Sequence, residues 1–129
     1  MNNDFNIYVY SNDANFCSSL AIECNNYGFE LTFFEPDNME NVFEQNDTLI
    51  SVVIIDLTCM DNIDPFELGK EARMIADFPV FGAVRKFNKK DQEEAKQKGF
   101  DLIFTKKMLL RSIRDVVIHI SDNEWINKK

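Results

Sequence analysis

The chain has 129 residues, of which 45% are hydrophobic and twelve are Phe, and its formal net charge is −8. This is the length of about one domain with enough apolar side chains for a core, which excludes an intrinsically disordered chain. The acidic balance argues against a surface for nucleic acid or an anionic membrane, because such surfaces concentrate Lys and Arg.

Targeting and redox features are sparse. No stretch approaches the roughly 20 apolar residues of a membrane helix, and the opening residues MNNDFNIYVY lack the basic region and apolar core of a signal peptide. We therefore expect a cytoplasmic protein. The three cysteines, Cys17, Cys24 and Cys59, are an odd number and do not have the spacing of a metal site, which predicts reduced thiols. The single histidine, His119, belongs to no metal-binding motif.

The first third of the chain predicts a strand, a helix and a second strand. Phe5–Tyr10 is rich in β-forming residues and ends at a polar turn. Asp13 in that turn is a good N-cap for a helix from Ala14, and Gly28 is placed to end the helix in a left-handed conformation. The helix has an apolar stripe of Phe16, Leu20, Cys24 and Tyr27. Phe29–Phe34 then predicts the second strand.

The next segment contains the central strand. Asp37–Glu40 has the spacing of a capping box and predicts the start of a short helix. Leu49–Asp56, with sequence LISVVIID, contains an unbroken β-branched run typical of a parallel strand covered on both faces. Asp56 ends this run, where ligands collect in an open α/β sheet, and is therefore a candidate site residue. The alternative is a solvated turn residue.

The second half predicts three helices and two strands. Asp64, Pro65 and Glu67 form a helix start, and that helix should run to about Ala76. Its predicted inward residues are Leu68, Ala72 and Ile75. The remaining predicted elements are a strand at 79–84, a charged helix at 88–98, a strand at 100–105 and an amphipathic helix with Leu109, Leu110, Ile113, Val116, Val117 and Ile120 inward.

Five strands alternating with five helices predict one α/β domain over residues 1–129, with its core at about 5–121 and a polar tail at 122–129. The expected architecture is a flavodoxin-like, doubly wound parallel sheet of order 2-1-3-4-5 with helices on both faces. That order places the turn Ser11–Asp13 beside Asp56.

With these residues in place, the chain resembles the receiver domains of bacterial response regulators (CheY-like). Asp56 matches the family's phosphoacceptor aspartate, and Ile63-Asp64-Pro65 resembles the family's Met-Asp-Gly after one inserted residue. Gly99-Phe100-Asp101 resembles the Gly-Ala-Asp before the fifth strand, and Lys106 matches the active-site lysine. The resemblance implies a signalling module rather than an enzyme.

The metal-binding positions depart from the family. The resemblance implies Mg²⁺ held by two acidic residues after the first strand, and the matching residues are Ser11 and Asn12. Neither is charged, whereas Mg²⁺ favours carboxylate oxygens. Asn12, Asp13 and Asp56 are therefore weak metal candidates, Asp13 being assigned mainly to the helix cap. We expect no metal and no cofactor.

The phosphoryl-binding positions depart as well. The family's Ser or Thr at the end of the fourth strand matches Val84, and its aromatic switch residue matches Ile103. The proline after the active-site lysine matches Lys107. Asp56 and Lys106 are thus a vestigial site, in which Lys106 either retains a catalytic role or forms an ion pair with Asp56.

These observations leave three hypotheses. The first is a pseudo-receiver that binds proteins without Mg²⁺-dependent phosphorylation. The second is a working single-domain response regulator with Asp56 as phosphoacceptor. The third is a flavodoxin-like electron carrier, for which the turn after the first strand lacks the glycine that a flavin phosphate loop needs.

The resemblance also implies a partner surface. Receivers commonly bind partners or dimerise through helix four, strand five and helix five. Here that face carries charges of both signs, which suits specific, salt-sensitive docking of a protein partner or a homodimer. Its candidate residues are Glu93, Glu94, Lys107 and Arg111. The alternatives are an ordinary solvated face, the first helix, or the tail that contains Trp125.

Overall fold

The computed structural model describes residues 5–45, 50–59 and 63–122. Three predicted features lie wholly or partly outside the described residues: residues 123–129 of the polar tail with Trp125, the start of the central strand at Leu49, and residues 60–62. Asp122, predicted to begin the tail, ends the last helix. None of the described helices is long and apolar enough to cross a membrane.

Five strands and five α-helices alternate along the described part of the chain, as predicted. They are β1 Phe5–Tyr10, α1 Ala14–Tyr27, β2 Glu30–Phe33, α2 Met39–Gln45, β3 Ile50–Asp56, α3 Pro65–Ile75, β4 Val80–Val84, α4 Lys89–Gln97, β5 Leu102–Thr105 and α5 Lys106–Asp122.

The strands form one parallel sheet of order β2-β1-β3-β4-β5. The predicted topology is therefore confirmed, and β1 lies beside β3 with Tyr10 paired to Ile55. Because parallel strands end at the same edge of the sheet, the turn after β1 and the end of β3 are neighbours. This carboxyl edge carries the candidate site.

The sheet separates two apolar layers. Val53 and Ile55 of β3 contact the layer covered by α2, α3 and α4, whereas Val52 and Ile54 contact the layer covered by α1 and α5. All four side chains are fully buried. The absence of alternation in the β3 sequence is thus explained by helices on both faces.

Most predicted helix caps are present. Asp13 Oδ1 accepts a hydrogen bond from the Phe16 amide at 3.1 Å, and Gly28 ends α1 with φ of 76°. Asp64 Oδ1 accepts from the Phe66 amide at 3.0 Å, with Pro65 opening α3. These side chains satisfy amides that have no partner within the helix and so fix where each helix begins.

Local predictions fail at three places. The capping interaction lies at Glu35–Asn38, where Asn38 Oδ1 accepts from the Glu35 amide at 2.9 Å, and not at Asp37–Glu40. Pro36 suits a first helical position, so a short 3₁₀ helix at Pro36–Asn38 precedes α2. Ile75 and Tyr27, both predicted inward, are each 39% exposed because each is the last residue of its helix.

Candidate functional site at the carboxyl edge

Asp56 is the last residue of β3, and its side chain is fully buried. Its Oδ2 accepts a hydrogen bond from Ser11 Oγ at 2.6 Å and lies 3.0 Å from Lys106 Nζ. Its Oδ1 accepts from the Thr58 amide at 2.9 Å and from Thr58 Oγ1 at 2.6 Å. Each oxygen therefore has two donors, which compensate the buried charge. The alternative of a solvated turn residue is wrong.

Lys106 is the first residue of α5, directly after β5, and its side chain is 14% exposed. Besides Asp56, its ammonium donates to Asp13 Oδ2 at 2.9 Å and to Thr58 Oγ1 at 3.0 Å. An ammonium has three N–H donors, so these three acceptors use all of them. Burial opposes the charge, but the hydrogen bonds to Asp13 and Asp56 outweigh it and raise the pKa of Lys106.

Asp13 has two roles at once. Its Oδ1 caps α1, while its Oδ2 pairs with Lys106, and the hydrogen bond from Lys106 lowers the pKa of Asp13. Its amide donates to Ser11 Oγ at 3.1 Å, which orients the Ser11 hydroxyl so that its proton points to Asp56. The sequence assigned Asp13 mainly to capping, and the structure adds the ion pair.

Thr58 is the site residue that sequence reasoning missed. Its hydroxyl donates to Asp56 and accepts from Lys106, so it connects the carboxylate to the ammonium. The available signal was a hydroxyl two residues beyond a buried aspartate, a spacing at which such side chains often form local turns. It was overlooked because the loop after β3 was treated as an irregular connection.

Two of the predicted site positions, Val84 and Ile103, are apolar and lie outside this network. Val84 is 2% exposed in β4, opposite Thr105 of β5. Ile103 is partly buried against the apolar layer of α2, α3 and α4. Asn12 is exposed in the turn after β1. The structure thus brings together Ser11, Asp13, Asp56 and Lys106 and keeps the two apolar positions in the packing.

No protein-family model and no curated protein matches the chain. Solved structures do match. A two-component response regulator from Clostridium difficile is 16% identical, with 90% of this chain and 94% of that chain covered and a TM-score of 0.72. A receiver domain of a DNA-binding response regulator from Colwellia psychrerythraea 34H is 18% identical, with 88% and 98% covered and a TM-score of 0.67.

A response regulator receiver domain from Rhodospirillum rubrum is 15% identical, with 90% of this chain and 93% of that chain covered and a TM-score of 0.67. The chain has the fold of a response-regulator receiver domain. Because the identities are low, the likeness concerns the fold, and the chemistry of the site depends on the residues that this chain places there.

The Mg²⁺ that the receiver fold implies does not fit the residues that the structure describes at this edge of the sheet. Asp13 and Asp56 are the carboxylates of the network, and both are bonded to Lys106. The Ser11 hydroxyl is neutral and donates its proton to Asp56, so it adds no negative charge that could compensate a cation. Across the described ranges, no group of three or more His, Cys, Asp or Glu side chains is placed to hold a metal. Mg²⁺ demands several oxygen ligands with compensating charge.

The ion pair between Asp13 and Lys106 predicts that its contribution to stability is lost at the acidic and at the alkaline extremes of pH. The lowered pKa of Asp13 contributes stability above its unfolded pKa, which is lost as the pH falls through the folded value. The raised pKa of Lys106 contributes stability that is lost only as the pH rises above its ordinary range. This pair should therefore add no pH dependence between about pH 5 and 9.

Urea unfolding from about pH 7 down to about pH 2.5 checks this expectation. The variant Asp13→Asn keeps an oxygen that can cap α1 but removes the charge opposite Lys106. Its urea midpoint should fall less steeply below about pH 4 than that of the wild type. Parallel curves for the two proteins would contradict the ion pair.

Proposed function

We propose that this chain is an atypical receiver domain of two-component signalling that acts as a protein-binding module without Mg²⁺-dependent phosphorylation of Asp56. One observation carries the proposal. Both oxygens of the buried Asp56 are already bonded to donors of the protein itself, namely Ser11, Thr58 and Lys106. The fold supplies the surfaces of a signalling module, and the network occupies the carboxylate that would have to react.

The chemistry explains why this matters. A carboxylate that attacks a phosphoryl group brings negative charges together, so catalysis depends on cations and positioned donors. In this site one ammonium is shared by two carboxylates. At the end of β4, Val84 offers no hydroxyl for a phosphoryl oxygen. A reacting Asp56 oxygen would also have to give up hydrogen bonds that are worth about 1.5–3 kcal/mol each when charged.

Treatment with acetyl phosphate and Mg²⁺, followed by intact mass measurement, tests the proposal. We expect the wild type to remain largely unmodified, with a mass spectrum close to that of an Asp56→Ala control. Because lost contacts of this size add several kcal/mol to the barrier, a small residual rate is compatible with the proposal. Stoichiometric phosphate that requires Asp56 would instead establish a working response regulator.

That working regulator is the second candidate, and the contact between Asp56 and Lys106 favours it. The lysine lies 3.0 Å from the aspartate, where a phosphoacceptor and its active-site lysine would stand. The two candidates differ in what they require of the aspartate. A pull-down with wild type and Asp56→Asn side by side should recover equal amounts of partner if the module binds without phosphorylation.

We further propose that a protein partner or a second receiver binds through α4, β5 and α5. Glu93, Lys107 and Arg111 are exposed on these elements, and Glu94 is partly exposed. The face also has an apolar component that the sequence did not predict. A groove of about 550 Å³ lies between α4 and β5, with Phe87 and Leu102 in its lining at 41% and 45% exposure. Apolar surface inside a charged rim is typical of specific interfaces.

Reversing the charges of this face should weaken partner recovery without unfolding the protein. The proposed variant combines Glu93→Lys, Glu94→Lys and Arg111→Glu, and recovery in a pull-down from native lysate is the measurement. Glu30→Lys on the opposite edge strand β2 produces the same net change in charge and serves as the control. Equal recovery with both variants would direct the search to α1 or to the segment containing Trp125.

A further inference from the structure

A cluster of cations lies directly after β4. Residues 85–90, with sequence RKFNKK, contain four cations and no carboxylate, although the chain as a whole carries a net charge of −8. All six residues are exposed, and Phe87 at the centre is 41% exposed. We call residues 85–90 the basic strip. It presents an aromatic ring flanked on both sides by positive charge.

A surface of opposite character lies between α2 and α3. A groove of about 280 Å³ is lined by the apolar side chains Phe43, Ile75, Ala76 and Phe78 and by the carboxylates Glu40, Glu44 and Asp77. Within the described part of the chain, every charged residue in this lining is acidic. We call this the acidic groove.

The two surfaces lie at opposite ends of the molecule. Asp77 and Phe78 of the acidic groove come shortly before β4, whereas the basic strip comes directly after it. A strand of five residues spans roughly 16 Å at about 3.3 Å per residue. Because β4 is a buried strand of the sheet, the basic strip of one molecule cannot fold back into its own acidic groove.

We propose that the acidic groove binds the basic strip of a second copy of this chain, with Phe87 against the apolar lining and the flanking cations against the carboxylates. The chain itself thus provides both halves of a complementary contact. Apolar burial of an aromatic anchor provides the affinity, and the opposite charges fix the orientation and exclude like-charged approaches. This contact is independent of the chemistry at Asp56. The basic strip borders the α4-β5-α5 face, because Phe87 also lines the groove between α4 and β5 and α4 begins at Lys89, whereas the acidic groove is formed by other elements.

The contact is heterologous, since each copy uses a different surface. Such contacts leave one strip and one groove open at the two ends, so assembly continues with concentration and does not stop at a dimer. A contact anchored by one ring should be weak. Salt has two opposite effects on this association. Moderate ionic strength favours it by screening the repulsion between two molecules of net negative charge. Salt at about 1 M weakens it by also screening the charges at the contact, because the Debye length is then about 3 Å.

Sedimentation velocity over a concentration series tests the proposal. At about 0.15 M salt, where the Debye length is about 8 Å, the weight-average mass of the wild type should rise steadily with concentration. The groove variant Glu40→Lys/Glu44→Lys and the strip variant Lys86→Gln/Lys89→Gln/Lys90→Gln should each weaken self-association by at least roughly tenfold. Glu30→Lys/Glu35→Lys changes the charge as the groove variant does, on exposed residues elsewhere, and should associate like the wild type.

The decisive experiment mixes the groove variant with the strip variant. The groove variant retains an intact strip, and the strip variant retains an intact groove, so one contact can form between them and no further copy can be added. An equimolar mixture should give a one-to-one complex that neither variant forms alone, with circular dichroism showing both variants folded. A wild type that stays monomeric, a closed dimer unaffected by either variant, or a mixture without a complex would each overturn the proposal.

Discussion

Replacing Lys106 by Met is expected to lower the free energy of unfolding by roughly 3–5 kcal/mol, the usual cost of removing one partner from a buried ion pair. Asp56 is fully buried, and among the described residues its cationic contact is Lys106. Without the ammonium, the carboxylate retains the donors Ser11 and Thr58 but no opposite charge. Urea unfolding at neutral pH measures the difference.

The matched control is Lys107→Met. Lys107 is the next residue of α5 and is exposed, so its loss should change the unfolding free energy by no more than about 0.5 kcal/mol. Asp56→Asn should rescue part of the Lys106→Met defect, because it removes the charge that the lysine compensates. Equal effects of the two lysine substitutions would contradict a structural role for the ion pair.

The double substitution Ser11→Asp/Asn12→Asp is expected to make stability depend on Mg²⁺. In the wild type, Ser11 Oγ lies 2.6 Å from Asp56 Oδ2, so a carboxylate at position 11 would face a buried like charge. In EDTA this should destabilise the protein by about 3 kcal/mol or more, as for other uncompensated buried charges. Mg²⁺ at one hundred times its dissociation constant should raise the free energy of unfolding of this variant by about 2.7 kcal/mol.

Thermal unfolding with EDTA and with Mg²⁺ measures this dependence. The control Ser18→Asp/Ser19→Asp places two charges on exposed positions of α1 and should respond to Mg²⁺ no more than the wild type does. If the double variant also gains phosphate from acetyl phosphate, the acidic pair was the missing part of the chemistry. A wild type that is strongly stabilised by Mg²⁺ would contradict our assignment of the site.

The fold was predictable because its determinants are local. The caps Asp13 and Asp64, the Gly28 turn and the apolar run of β3 each specify an element within a few residues, and their order leaves few topologies. Two of the errors fell at helix ends, where Ile75 and Tyr27 follow the apolar periodicity but are exposed as the last residues of their helices. Periodicity describes a helix face and does not indicate where its packing stops.

The site was predictable only in part. Asp56 and Lys106 follow from strand ends that a parallel sheet must bring together, and their ion pair had been one of two interpretations. The contact between Asp13 and Lys106 joins residues 93 positions apart, and side-chain direction across such a distance depends on the assembled fold. Thr58 had a local signal in its spacing from Asp56, whereas its contact with Lys106 of a distant helix depends on the assembled fold.

The occupied state of Asp56 has a consequence for timing. In a receiver that carries an aspartyl phosphate, the lifetime of the covalent bond sets how long the active state lasts. Under the proposed function this chain has no such bond, because its own lysine, serine and threonine hold the carboxylate. The duration of its signal then equals the residence time of the complex with its partner and is set by the dissociation rate constant alone.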